Sequence, residues 1–215
     1  MDVTAVGLVH SARSAPSHQH SAAFTDIAMT GNGTLLVTFR AGSERDSHDG
    51  HILLYASTDM GETWELRYDW YGKGAWEDGT LGEVKTFSIV ELEPEVLTVT
   101  GLWVDRSDST LSFVNTYNQG LLPMRIFHRT SVDGGRTWST RRWMEVTPHR
   151  GASPVTEAII PLPSGIMVQP YETWKDFYDD GLPDQGAYLR LSRDGGETWP
   201  EFAKMAKHPL RERYY

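Results

Sequence analysis

Apolar and polar positions in this chain alternate, or run in short apolar blocks, with a turn signal closing each block. Residues 24–30 form one block, Gly31-Asn32-Gly33 a turn, and residues 34–40 the next block. Blocks at 52–56 and 63–67 complete a first set of four. A second set occupies 84–91, 96–103, 124–130 and 137–143, and a third 155–161, 166–171, 187–191 and 198–202. Blocks of this length between Gly, Pro, Asn and Asp read as β-strands. A helical period is absent, because Pro or Gly interrupts every candidate window. Four antiparallel strands repeated along a chain predict the blades of an all-β propeller. About three blades are expected, near 23–69, 84–144 and 154–204, with 1–22 as an N-terminal segment and 23–215 as a partial propeller.

One motif recurs once per set. It reads STDMGETW at 57–64, SVDGGRTW at 131–138 and SRDGGETW at 192–199. All three fit Ser-x-Asp-x-Gly-x-Thr-Trp, and repetition at such a period is the mark of a repeat architecture. Each copy falls between the third and fourth strand of its set, where Asp (Asp59, Asp133, Asp194) can bond turn N–H groups and Gly (Gly61, Gly135, Gly196) can take a positive φ. The closing Trp64, Trp138 and Trp199 are large enough to fill space between neighbouring sheets. Three copies for one ligand would be redundant, so the motifs read as architecture. The connections then sort by length. The first–second and third–fourth turns are short. The second–third loops (41–51, 104–123, 172–186) and the crossovers (68–83, 144–154) are long, and function belongs on long loops held by a rigid scaffold.

Composition narrows the partners. The chain has 215 residues, is 39% hydrophobic and carries a net charge of −9, which argues against nucleic acid and against an anionic membrane surface. It contains no Cys, so there is no disulfide and no thiolate chemistry, as suits a cytoplasmic setting. The N-terminus has no secretory pattern, and no apolar run reaches the roughly 20 residues of a membrane span. His18-Gln19-His20 has no companion ligands, so no metal is expected, and no cofactor either.

The three motifs resemble the Asp boxes, or BNR repeats, of the sialidase superfamily. Residues 23–26, 38–42, Asp49-Gly50 and the first motif also look like the first blade of bacterial sialidase-like proteins. The resemblance implies a six-bladed propeller and exo-acting hydrolysis of a glycan with an acidic or terminal sugar. It also leaves room for a non-catalytic carbohydrate-binding or protein-interaction propeller. Three arginines would hold the substrate carboxylate, since guanidinium matches it in bidentate fashion. Arg40 matches the second of these; the first position falls on Phe24-Thr25-Asp26 and the third near 167–172, where no Arg occurs. The acid/base carboxylate would be Asp46 or Asp49, beside Arg45, and Glu157 would pair with a tyrosine nucleophile from a later blade, for which Tyr214 and Tyr215 are poor substitutes.

Other candidates come from the residues themselves. Asp26 sits between apolar neighbours on an inner strand, and a buried carboxylate needs partners. His48 shares the loop of Asp46. Glu172, Trp174 and Lys175 form a polar-aromatic cluster where a strand meets a long loop, and Arg106 and Arg125 flank the long loop of the second set. Each also has a plain alternative as a turn, ion-pair or solvated surface residue. Three blades cannot close a ring that needs at least four. The remaining blades are therefore expected from the same protein or from a second copy of the chain.

Overall fold

The computed structural model describes residues 7–71, 81–151, 157–182 and 185–206. Among these residues twelve strands form three four-stranded antiparallel sheets. The first holds β1 (Ser21–Met29), β2 (Leu35–Gly42), β3 (His51–Ser57) and β4 (Glu65–Asp69). The second holds β5 (Gly82–Glu93), β6 (Val96–Asp105), β7 (Met124–Ser131) and β8 (Arg142–Trp143). The third holds β9 (Ile160–Pro161), β10 (Met167–Glu172), β11 (Ala187–Ser192) and β12 (Glu201–Ala206). Within each sheet the strands follow one another in chain order, the meander of a propeller blade.

Burial explains why the pattern is cleaner in some strands than in others. β2 and β3 lie mid-sheet with both faces covered, and nearly every residue is buried, so they read as continuous apolar blocks. β1 is half-covered and alternates. Leu36, Ile52 and Leu54 of the first blade pack with Phe87, Leu97 and Phe127 of the second. Burying each such side chain stabilises by about 1.5–3 kcal/mol. A second core joins Ile126 of the second blade to Tyr171, Tyr188 and Trp199 of the third.

Some strand limits differ from the sequence expectation. Residues 137–141 do not join the ladder, and β8 is only Arg142–Trp143. There Asp133 takes the Thr137 N–H and hydroxyl, and Ser139 Oγ accepts the Thr130 N–H, so side chains substitute for strand pairing. The expected strand at 155–161 falls partly outside the described residues; its described part is β9.

All three motif turns share one hydrogen-bond pattern. Ser57 Oγ donates to Asp59 at 2.7 Å and accepts the Gly61 N–H at 2.8 Å, while Asp59 accepts the Thr63 N–H at 3.0 Å and its hydroxyl at 2.5 Å. Ser131, Asp133, Gly135 and Thr137 repeat it, as do Ser192, Asp194, Gly196 and Thr198. The threonine's hydroxyl and N–H hold each aspartate below the ordinary carboxylate range, Asp194 at about 2. Gly61, Gly135 and Gly196 stand at φ 91°, 89° and 89°, where a side chain is strained. Trp138 packs against Trp70 and Phe87, and Trp199 faces His128 of the preceding blade; Trp64 lies against Val37, Phe39 and Leu53 of its own sheet.

Candidate functional site

A network of charges occupies the long-loop side of the seam between the first two blades, and Glu83 on β5 is its centre. Its carboxylate is fully buried. One oxygen accepts Arg40 Nε at 2.9 Å and Nη2 at 2.6 Å; the other accepts Arg106 Nε at 3.0 Å and also Arg106 Nη2. Both guanidiniums also reach the backbone of the loop at 43–50. Arg40 bonds the carbonyls of Glu44 (2.9 Å) and Ser47 (2.6 Å), and Arg106 bonds that of Asp46 (3.0 Å). The approach is close: a Cβ on Gly50 would lie 2.2 Å from Glu83 Oε2 and 2.3 Å from Arg40 Nη2. This clamp fixes the loop.

What the loop presents is Asp46, whose carboxylate pairs with Lys85 Nζ. Burial works against its charge, but the hydrogen bond and charge of Lys85, with Arg45 and Arg40, hold the Asp46 carboxyl below its usual range. Burial pulls the Lys85 ammonium down from its ordinary value, opposed by Glu83 and Asp46. Two rings flank the pair. Lys85 Nζ lies 4.0 Å from the Phe113 ring centroid and 5.9 Å from that of Phe24, and the Arg45 guanidinium lies 5.7 Å from the Phe24 ring. Both inner strands break register here: β1 bulges between Ala23 and Asp26, with Phe24 at φ 55°, and β5 bulges between Val84 and Thr86, at Lys85. Bulges beside a site re-aim side chains. Arg40, Arg45, Lys85 and Arg106 against Asp46 and Glu83 make the named cluster two charges positive, in a chain of net −9.

Arg40, expected to hold a substrate carboxylate, is instead fully buried and committed to Glu83 and the loop, so it is architectural in this arrangement. Arg45, five residues on, is the exposed guanidinium. Asp49 is exposed to a lesser degree and closes the loop by accepting the Ser43 N–H at 3.1 Å and the Ser43 hydroxyl at 3.2 Å; burial opposes its charge, but Ser47 and Ser43 hold it below the ordinary range. Neither Asp46 nor Asp49 is thus set up as a protonated acid at neutral pH. His48 is exposed on the same loop. Asp26 accepts the Ile89 N–H of the next blade at 2.9 Å, and burial raises its pKa.

The remaining candidates lie away from this cluster. The Glu157 side chain is exposed, and its carbonyl accepts from Gln169 Nε2 at 3.2 Å. Glu172 is half-buried at the loop end of β10, and burial raises its carboxyl. Trp174 and Lys175 line a hollow of about 240 Å³ with His149, on the same loop face. Arg125 covers the Trp143 ring at 3.9 Å and faces Glu145 at 3.9 Å. Tyr214 and Tyr215 lie outside the described residues. Sequence reasoning passed over Glu83, Lys85 and Phe113. The available signal was Glu83-Val84-Lys85, two charges spaced by two at the head of an otherwise apolar strand. Among the described residues, no group of three or more metal-ligating side chains converges, and no helix is long and apolar enough to cross a membrane.

Comparison of the chain with family models gives no match, and comparison with curated proteins gives none either. Solved structures do match. A Hadza microbial sialidase, Hz136, superposes with TM-score 0.64 at 20% identity over 85% of this chain and 37% of its own. The GH93 α-L-arabinofuranosidase of Fusarium graminearum, in complex with arabinobiose, gives 0.56 at 20% identity over 84% and 48%. A Dyadobacter fermentans protein of unknown function gives 0.64 at 18% identity over 87% and 56%. The likeness shows the fold, a propeller of four-stranded blades, and this chain spans well under half of the matched sialidase.

Proposed function

We propose that this chain carries part of the active face of a propeller glycoside hydrolase acting on a glycan that ends in an acidic sugar. One observation supports this most. Asp46 is presented at the long-loop face by a buried clamp, between Lys85 and Arg45 and beside the rings of Phe24 and Phe113. Positive charge at that point suits a sugar carboxylate, which Arg45 and Lys85 would meet, while the rings suit a sugar's C–H face. Glycoside hydrolysis commonly uses two carboxyl groups of opposite protonation state. Asp46, kept ionised by Lys85, fits the charged member, which activates water or faces the positive charge that develops at the anomeric carbon. The proton donor is a different group; Asp26, on the inner strand that bulges at Phe24, is a described carboxyl that burial pushes toward the protonated form.

A second reading is a carbohydrate-binding propeller without catalysis. It is favoured by the ion pair that already occupies Asp46 and by the burial of Arg40. Fluorogenic glycosides of acidic and neutral sugars separate the two. Turnover of an acidic glycoside that falls at least about 100-fold in Asp46→Asn supports hydrolysis. Binding of the same glycosides without turnover supports the second reading. Undiminished turnover in Asp46→Asn removes the role assigned to that residue.

A further inference from the structure

The long loops of the second and third blades are sewn together. Leu121 bridges Asp176 in parallel, and its N–H bonds the Lys175 carbonyl at 3.1 Å. Asn115 and Asn118 both donate to the Phe177 carbonyl, at 2.8 and 3.1 Å, and Trp174 Nε1 donates to the Gln119 carbonyl at 2.8 Å. Gly120 allows the contact, since a Cβ there would meet the Asp176 carbonyl at 2.2 Å. Around this seam lie three hollows of about 240, 570 and 610 Å³. They adjoin: the first shares Asp176 with the second, and Lys175 and Leu182 with the third.

Aromatic groups line all three hollows: Trp174 with His149 and Tyr188 in the first, Tyr178 with Phe177 in the second, and Tyr117 in the third. Tyr117 and Tyr178 are 88% and 77% exposed, and Tyr178 is braced edge-on by buried Phe177 at 5.1 Å. Beside each ring stand hydrogen-bonding groups: Asp179 by Trp174, Asp105 and Asp108 by Tyr178, and Asn118 and Asp180 by Tyr117.

We infer that these three hollows form a binding groove for a neutral oligosaccharide chain. A sugar offers a C–H face to an aromatic ring and hydroxyls to its rim, and the exposed rings of Tyr117 and Tyr178 among carboxylates and an amide match that chemistry. A protein-docking patch would join its apolar residues into one continuous surface instead. Charge selects among glycans. Among the described residues, Asp105, Asp108, Asp176, Asp179 and Asp180 line the hollows with Lys175 and Arg150 as cations, so this lining is three charges negative and repels uronic or sialic acid residues. The sewn loops keep the rings in place before a ligand arrives, which lowers the entropy lost on binding. This site is separate from Asp46 and holds whether or not that residue takes part in hydrolysis.

The test is calorimetric titration of the whole chain with neutral xylo-, arabino- and gluco-oligosaccharides, disaccharide to hexasaccharide, beside oligogalacturonates. The expected result is binding of at least one neutral series, tightening with length. Tyr117→Ala and Tyr178→Ala should each weaken the hexasaccharide by about two- to tenfold with an unchanged melting temperature. Absence of binding by every neutral series at millimolar concentration overturns the inference. So does preference for the galacturonates, or affinity indifferent to both tyrosines.

Discussion

Glu83 has two guanidinium partners and no access to solvent. Exposed pairs of this kind contribute little, but breaking a buried one leaves charge without compensation. Glu83→Gln would strand Arg40 and Arg106 together, and should cost about 3–5 kcal/mol, read from the urea midpoint. The same change should release the 43–50 loop, because the clamp reaches the carbonyls of Glu44, Asp46 and Ser47. Protease sensitivity within that loop should therefore rise alongside the loss of stability. Arg40 was legible from the sequence as a residue of consequence. Its burial was not, because its partner lies 43 positions away on another blade.

Among the strands and turns, glycine offers a clean comparison. Gly135 and Gly165 share a positive φ, 89° and 82°. A Cβ on Gly135 would lie 3.0 Å from Leu54 Cδ2 of the preceding blade, whereas one on Gly165 meets nothing within 4 Å. Both alanine variants incur backbone strain of about 1–3 kcal/mol, but only Gly135→Ala also presses on the seam between blades. It should destabilise clearly more than Gly165→Ala in parallel urea titrations; equal losses would mean that the contact relaxes freely. The motif turns were the most legible elements in the sequence, since every bond in them spans four residues or fewer. Strand limits were less so, and β8 is short because local Ser and Asp side chains compete with the ladder.

Across the whole molecule, the seams between blades carry both stability and its pH dependence. His128 of β7 is fully buried against the third blade, with Trp199 at 5.0 Å and Gln169 Oε1 at 3.4 Å. Burial pulls its pKa from 6.5 to about 4. The unfolded chain then binds a proton that the folded chain refuses, so the stability is fully present above pH 6.5 and is lost as pH falls toward 4. The loss is on the order of 3 kcal/mol. Urea titrations between pH 7.5 and 4.5 should show this slope, and His128→Leu should flatten it; an identical slope in the variant would place the sensitivity elsewhere.

The sequence by itself determined the strand pattern, the blade repeat, the motif turns and the face on which long loops gather. All of these rest on period, turn chemistry and bonds between near neighbours, which the linear order contains. The tertiary structure decided which charges meet. It buried Arg40 on Glu83, paired Asp46 with Lys85, turned Phe24 and Phe113 toward that pair, and lined three rings along the sewn loops. Those partners come from different blades, and burial, which sets whether a charge is architectural or available, is a property of the packed sheets and not of any one strand.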